Sequence, residues 1–97
     1  MTASRAPVTL SHRACISDEV LAQDVGDEVV LLDLAGERYF GLDPVGTRIW
    51  ALLPDAANLG AVLDSLCAEF DAPRERIEAD LLALIAALRE AGLVTVD

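Results

Sequence analysis

The chain has 97 residues, 54% of them apolar, with a mean hydropathy of +0.41 and a net charge of −10. That length allows one domain, and that composition excludes a disordered chain. Residues 18–97 hold five arginines against 17 carboxylates, a net of −12, so duplex nucleic acid and anionic membranes are poor partners for the body of the chain.

Residues 1–15 are polar, lack periodicity and contain Pro7. They read as a flexible arm preceding a domain over 16–97, in which Val8–Leu10 could add a short strand. Three strand-like runs follow. Val20–Val25 is the first, and Gly26-Asp27 forms a two-residue turn. Glu28–Leu34 is the second, with apolar side chains on both faces, as suits a central strand covered on two sides. Ala35-Gly36 is the next turn, and Glu37–Leu42 is the third strand. A meander of this order leaves the third strand at an edge.

Helical signals take over at Asp43-Pro44, a cap followed by proline at the first helical position. Val45, Ile49, Leu52 and Leu53 fall at helical spacing until Pro54. Asn58 caps a second helix whose stripe is Leu59, Val62, Leu63, Leu66, Cys67 and Phe70. Asp71 and Pro73 open a third helix, which Gly92 closes. Its core stripe is Ile77, Leu81, Leu84, Ile85 and Leu88. Ala79, Leu82, Ala83, Ala86 and Ala87 extend the apolar surface, so this helix meets more than one neighbour. Leu93–Val96 can form a last short strand. The expected fold class is α+β, winged-helix-like: a three-stranded antiparallel meander followed by three helices.

Catalytic constellations are scarce. His12 is the only histidine and Cys15 stands beside it in the arm, where nothing rigid would hold a base against a nucleophile. Those two ligands fall short of the four of a structural zinc site. Cys15 and Cys67 read as free thiols, and no phosphate-binding glycine motif is present. The longest apolar run, Leu81 to Leu88, is eight residues, too short to span a bilayer, and no signal peptide is visible; the expected location is the cytoplasm. The expectation is a non-enzyme without metal or cofactor. Two binding readings remain. A winged helix could read DNA through its third helix, but Glu75, Glu78, Asp80 and Glu90 there oppose Arg74, Arg76 and Arg89. Alternatively, the edge strand could capture a peptide by strand addition, with Tyr39 and Phe40 as anchors and Gly41 permitting close approach.

The stretch VVLLDLAGERYFGLDPVGTRIWALL, Val29 to Leu53, resembles the PqqD family, as does DLLALIAALREAGLV, Asp80 to Val94. The details are most similar to the stand-alone recognition elements of lasso peptide pathways. The resemblance implies a winged-helix-like adaptor that binds the leader of a ribosomal precursor peptide as an added strand. It then presents that peptide to a separate leader peptidase. Leaders there tend to carry a Tyr-x-x-Pro element. Carried over by position, the pairing strand supplies Glu37, Arg38, Tyr39, Phe40, Gly41 and Leu42. The facing helix supplies Arg76, Asp80, Ala83, Leu84 and Ala87, with Asp80 where the family usually has Asp. The acidic body implies a basic leader or a basic patch on the peptidase. The alternatives are a PqqD-type chaperone for the coenzyme PQQ precursor and an acidic winged-helix regulator.

Overall fold

A computed structural model describes residues 7–26 and 28–97. The N-terminal part of the expected arm and the turn position Asp27 lie outside the described residues. In chain order the elements are β1 (Ala14–Ile16), β2 (Val20–Val25), β3 (Glu28–Asp33), β4 (Arg38–Leu42), α1 (Pro44–Leu52), a 3-10 turn (Leu53–Asp55), α2 (Leu59–Glu69), α3 (Arg74–Glu90) and β5 (Val94–Val96). The α+β meander-and-three-helix expectation holds, and a second sheet of two strands joins it.

The main sheet runs β2-β3-β4, antiparallel throughout. Gly26 takes φ +69° between β2 and β3, as a tight hairpin turn requires. Alternation puts Val29, Leu31, Phe40 and Leu42 on one face, against the helices, where Val29, Leu31 and Leu42 are buried. The expectation that β3 is covered on both sides is corrected here. Its other face shares the outside of the sheet with Leu21, Val25, Leu34 and Tyr39, which are all exposed.

The β3–β4 connection is a four-residue turn, so Leu34 and Glu37 leave the strands assigned to them. The left-handed residue in it is Glu37 at φ +54°, while Gly36 serves close approach: a Cβ on it would come within 2.6 Å of Asp33 Oδ2. A non-glycine residue in that region carries strain that asparagine tolerates better. Glu37→Asn is therefore expected to raise unfolding stability by about 0.5 kcal/mol, measured by urea denaturation.

The helix caps follow the sequence at two of three starts. Asp43 Oδ1 accepts from the Gly46 N–H at 2.7 Å, and Asn58 Oδ1 accepts from the Ala61 N–H at 2.9 Å. At the third, the N-cap is Pro73 rather than Asp71, and its carbonyl accepts from the N–H groups of Arg76 and Ile77. Proline has no side chain to cap with, so this helix begins through its backbone alone. At its other end Gly92 adopts φ +81°. Its N–H donates to Arg89 O and the Leu93 N–H donates to Leu88 O, a Schellman closure with Leu88 and Leu93 both buried.

The core joins both sheets to all three helices. Leu31, Leu63, Leu66, Leu81, Ile85 and Leu88 are fully enclosed. The two-stranded sheet was legible only in its C-terminal half. β1 pairs antiparallel with β5, in register Ala14↔Val96, Cys15↔Thr95 and Ile16↔Val94. The strand suggested at Val8–Leu10 does not form; Val8 and Leu10 pack on the core instead. The carbonyls of Leu10 and His12 accept from the N–H groups of Gly60 and Leu59, the first turn of α2. From Leu10 onward the segment is thus hydrogen-bonded to the body, and the expected boundary at residue 16 falls inside β1.

Two ion pairs pin element ends. Arg48 donates to both oxygens of Glu69, at 2.6 and 2.9 Å, joining α1 to the end of α2. Arg38 pairs with Asp33 at 3.1 Å across the β3–β4 turn. Hydrogen bonding from Arg48 holds the Glu69 carboxyl below its ordinary 4.5. The Gly36 N–H first, then Arg38, hold Asp33 below its ordinary 3.8. A carboxylate with a depressed folded-state pKa contributes stability above its ordinary value and loses it as pH falls through the depressed one. Glu69→Gln should therefore flatten the acid side of the stability profile below about pH 4.5, read by thermal melts across pH. Because both partners are exposed, the change is small.

Candidate functional site

β4 is the free edge of the main sheet. The Leu34 N–H donates to Glu19 O on the β2 side, so by alternation Val29, Leu31 and Asp33 direct their backbone groups at β4. The Val29 N–H confirms the parity, because it donates to Thr47 Oγ1 on the β4 side. Arg38, Phe40 and Leu42, opposite those three residues, are consumed in the ladder. Tyr39 and Gly41 point their N–H and C=O groups outward, away from β3.

A cleft of about 370 Å³ lies beside this edge. Gly41 and Leu42 form one wall and Asp80, Ala83 and Leu84 of α3 form the other. Asp43, Val45, Gly46 and Ile49 close its end. Asp80, Ala83, Leu84 and Ala87 recur at helical spacing on one face. The small side chain of Ala83 leaves this wall of the cleft open. Part of the surplus apolar surface of α3 lines this open groove.

Of the residues assigned from sequence, the cleft brings together Gly41, Leu42, Asp80, Ala83 and Leu84. Arg38, Tyr39 and Phe40 line a smaller cavity of about 160 Å³ with Asp33, Ala91 and Leu93, at the C-terminal end of α3. Glu37 lies in the turn. Arg76 and Ala87 are exposed on α3 and line neither cavity. Sequence reasoning missed the α1 wall. The signal was the Asp43-Pro44 cap immediately after Leu42, which fixes α1 at the end of the edge strand.

Thr47 shapes that corner. Its hydroxyl accepts from the Val29 N–H at 3.2 Å and lies 3.4 Å from Leu42 O, as a donor to it. The side chain thus ties the first turn of α1 to the paired ends of β3 and β4.

The uncovered face of the sheet is a second surface. Alternation gathers Leu21, Val25, Val30, Leu32, Leu34 and Tyr39 on it, with Tyr39 78% exposed. Glu28 stands on the same face. An antiparallel sheet open to water is ordinarily polar on that side; here Gln23 also interrupts the apolar row, and Val30 and Leu32 are half-buried.

His12 and Cys15 line neither the cleft nor the cavity beside it. His12 Nδ1 accepts from the Thr9 N–H at 3.0 Å. Among the described residues no group of histidine, cysteine and acidic side chains could hold a metal ion, and no helix is long and apolar enough to cross a membrane.

These features define a winged-helix-like domain with an open strand edge beside a helix groove. The chain belongs to the PqqD family: residues 28–94 match the family described as Coenzyme PQQ synthesis protein D. Among curated relatives, a PqqA binding protein of Rhodopseudomonas palustris is 32% identical over 62 residues, 64% of this chain and 61% of that protein. A PqqA binding protein of Bradyrhizobium diazoefficiens is 34% identical over 62 residues, 64% of this chain and 60% of its own length. The chain therefore spans about three-fifths of these relatives. Among solved structures, TbiB1 in complex with the TbiA(β) leader peptide superposes with a TM-score of 0.75 at 42% identity, over 82% of this chain and 93% of that one. A lasso peptide synthetase B1 complexed with the leader peptide gives 0.76 at 25% identity, over 86% and 98%.

Proposed function

We propose that this chain is a non-catalytic adaptor of lasso peptide biosynthesis, which binds a precursor's leader as a strand added along β4. The observation that carries the reading is the outward-facing backbone of Tyr39 and Gly41 beside the groove of α3. An extended peptide would satisfy those groups and place alternate side chains against α3. The solved relatives, both in complex with leader peptides, support it. The adaptor hands the peptide to a separate maturation enzyme, a leader peptidase, in the cytoplasm. The acidic body of the chain favours a basic patch on that enzyme or a basic leader. The PqqA binding relatives favour a second reading, in which the peptide is the coenzyme PQQ precursor.

Titration of the isotope-labelled protein with synthetic TbiA(β) leader, and separately with PqqA, tests both. Amide signals of Tyr39, Gly41, Ala83 and Leu84 should move with the leader. Ala83→Trp should weaken its binding by about 1–3 kcal/mol, the cost of overfilling a packed site. Tighter capture of PqqA moves the assignment to the second reading. Changes confined to α2, or none with either peptide, overturn the adaptor.

A further inference from the structure

We infer that Arg38 is a positioning residue: its guanidinium ties the edge strand to the C-terminus of α3 and sets the gap into which a peptide strand inserts. The inference rests on the peptide-binding reading above. Arg38 opens β4 on the inner face of the sheet. Its Nη2 donates to the Ala91 carbonyl at 2.6 Å and to Asp33 Oδ2 at 3.1 Å. Ala91 is the C-cap of α3, where carbonyls lack helical partners and the helix dipole favours a cation.

The other acceptor is itself held. Asp33 Oδ1 accepts from the Gly36 N–H at 3.2 Å, and the side chain is 12% exposed. A Cβ on Gly36 would come within 2.6 Å of Asp33 Oδ2 and 3.1 Å of Arg38 Nε, so glycine leaves room for the clasp. The guanidinium is planar and presents several donors, which lets one group serve two acceptors of different elements. The cavity beside it, lined by Tyr39, Phe40, Ala91 and Leu93 among others, shows that apolar packing does not close this junction. Thr47 holds the far end of β4, and Arg38 holds the near end. Between them the outward groups of Tyr39 and Gly41 are kept at a fixed distance from Ala83 and Leu84. A peptide then meets an edge already in its bound arrangement, and affinity falls in proportion to any loss of that arrangement.

The test uses three variants of the full chain and synthetic TbiA(β) leader. Arg38→Leu keeps an apolar stem and loses the donors. Arg38→Lys keeps one donor. Asp33→Asn loosens the clasp without touching Arg38, and its remaining oxygen still accepts from Gly36. Circular dichroism confirms folding. Arg38→Leu and Asp33→Asn should each weaken leader binding about tenfold, mainly through slower association, and Arg38→Lys should recover most of the loss. In the free protein, Arg38→Leu should speed amide exchange at Phe40, Ala91 and Leu93 and leave α2 unchanged. A loss with Arg38→Leu at an unchanged association rate would mean that Arg38 touches the peptide directly, and the inference falls. Unchanged exchange in free Arg38→Leu also overturns it. If the parent protein does not bind the leader, the peptide-binding reading fails, and the exchange measurement still decides whether Arg38 holds β4 to α3.

Discussion

Tyr39→Pro is expected to leave the domain folded and remove leader binding, whereas Phe40→Pro is expected to unfold it. The two positions are neighbours on one strand and differ in where their N–H groups point. Phe40 lies opposite Leu31, within the ladder to β3. Proline there deletes an interior sheet bond beneath a fully buried leucine. Tyr39 directs its N–H away from β3, so the sheet loses no bond when that donor goes. An incoming strand does lose one. Its carbonyl opposite Tyr39 is left unpaired, at about 1–3 kcal/mol, and the proline ring obstructs approach as well. The combined effect is a fall of at least about tenfold in affinity for the TbiA(β) leader, measured by calorimetry, with an unchanged circular dichroism spectrum. Binding of folded Tyr39→Pro at the parent's affinity would place the peptide elsewhere than on this edge.

Leu81→Ala should cost about 2–5 kcal/mol of stability. The side chain is fully enclosed and sits on α3 next to Asp80, with its own face turned to the core and its neighbour's toward the cleft. Domains of this kind have only about 5–15 kcal/mol to lose. The urea midpoint should fall sharply, with leader affinity at low temperature much less affected, because the groove-facing residues are unchanged. Loss of less than 1 kcal/mol would show that α3 is not anchored through this position.

The contrast between Asp80 and Leu81 also explains what could be read from the chain alone. The stripe Ile77, Leu81, Ile85, Leu88 has helical period, so α3 and its buried face were legible, as was the meander from Val20 to Leu42. The bounds of the edge strand were legible to within one residue: the expected Glu37 went to the turn because four residues, not two, connect β3 and β4. The choice between the two backbone sets was not legible. It depends on ladder parity, which becomes visible only when Leu34 and Val29 are seen with their acceptors. β1 was hidden because three residues, Ala14–Ile16, carry too little pattern to stand out, and their partner β5 lies at the other end of the chain. The α1 wall of the cleft escaped for a similar reason. Val45, Gly46 and Ile49 read as ordinary core positions until the helix is seen to abut the edge strand.

The hydroxyl of Thr47 takes on wider meaning in this light. A ladder bond between two backbones is indifferent to sequence; almost any residue supplies it. At the mouth of this cleft a side chain adds a further link between Val29 and Leu42. The hydroxyl therefore adds a second tie between the sheet end and α1, beside the Asp43 cap. Serine would preserve the link on a slimmer stem, and valine would fill the same volume while breaking it. Thr47→Val is therefore expected to loosen the mouth of the cleft while the Asp43 cap and the core that keeps the domain folded stay unchanged.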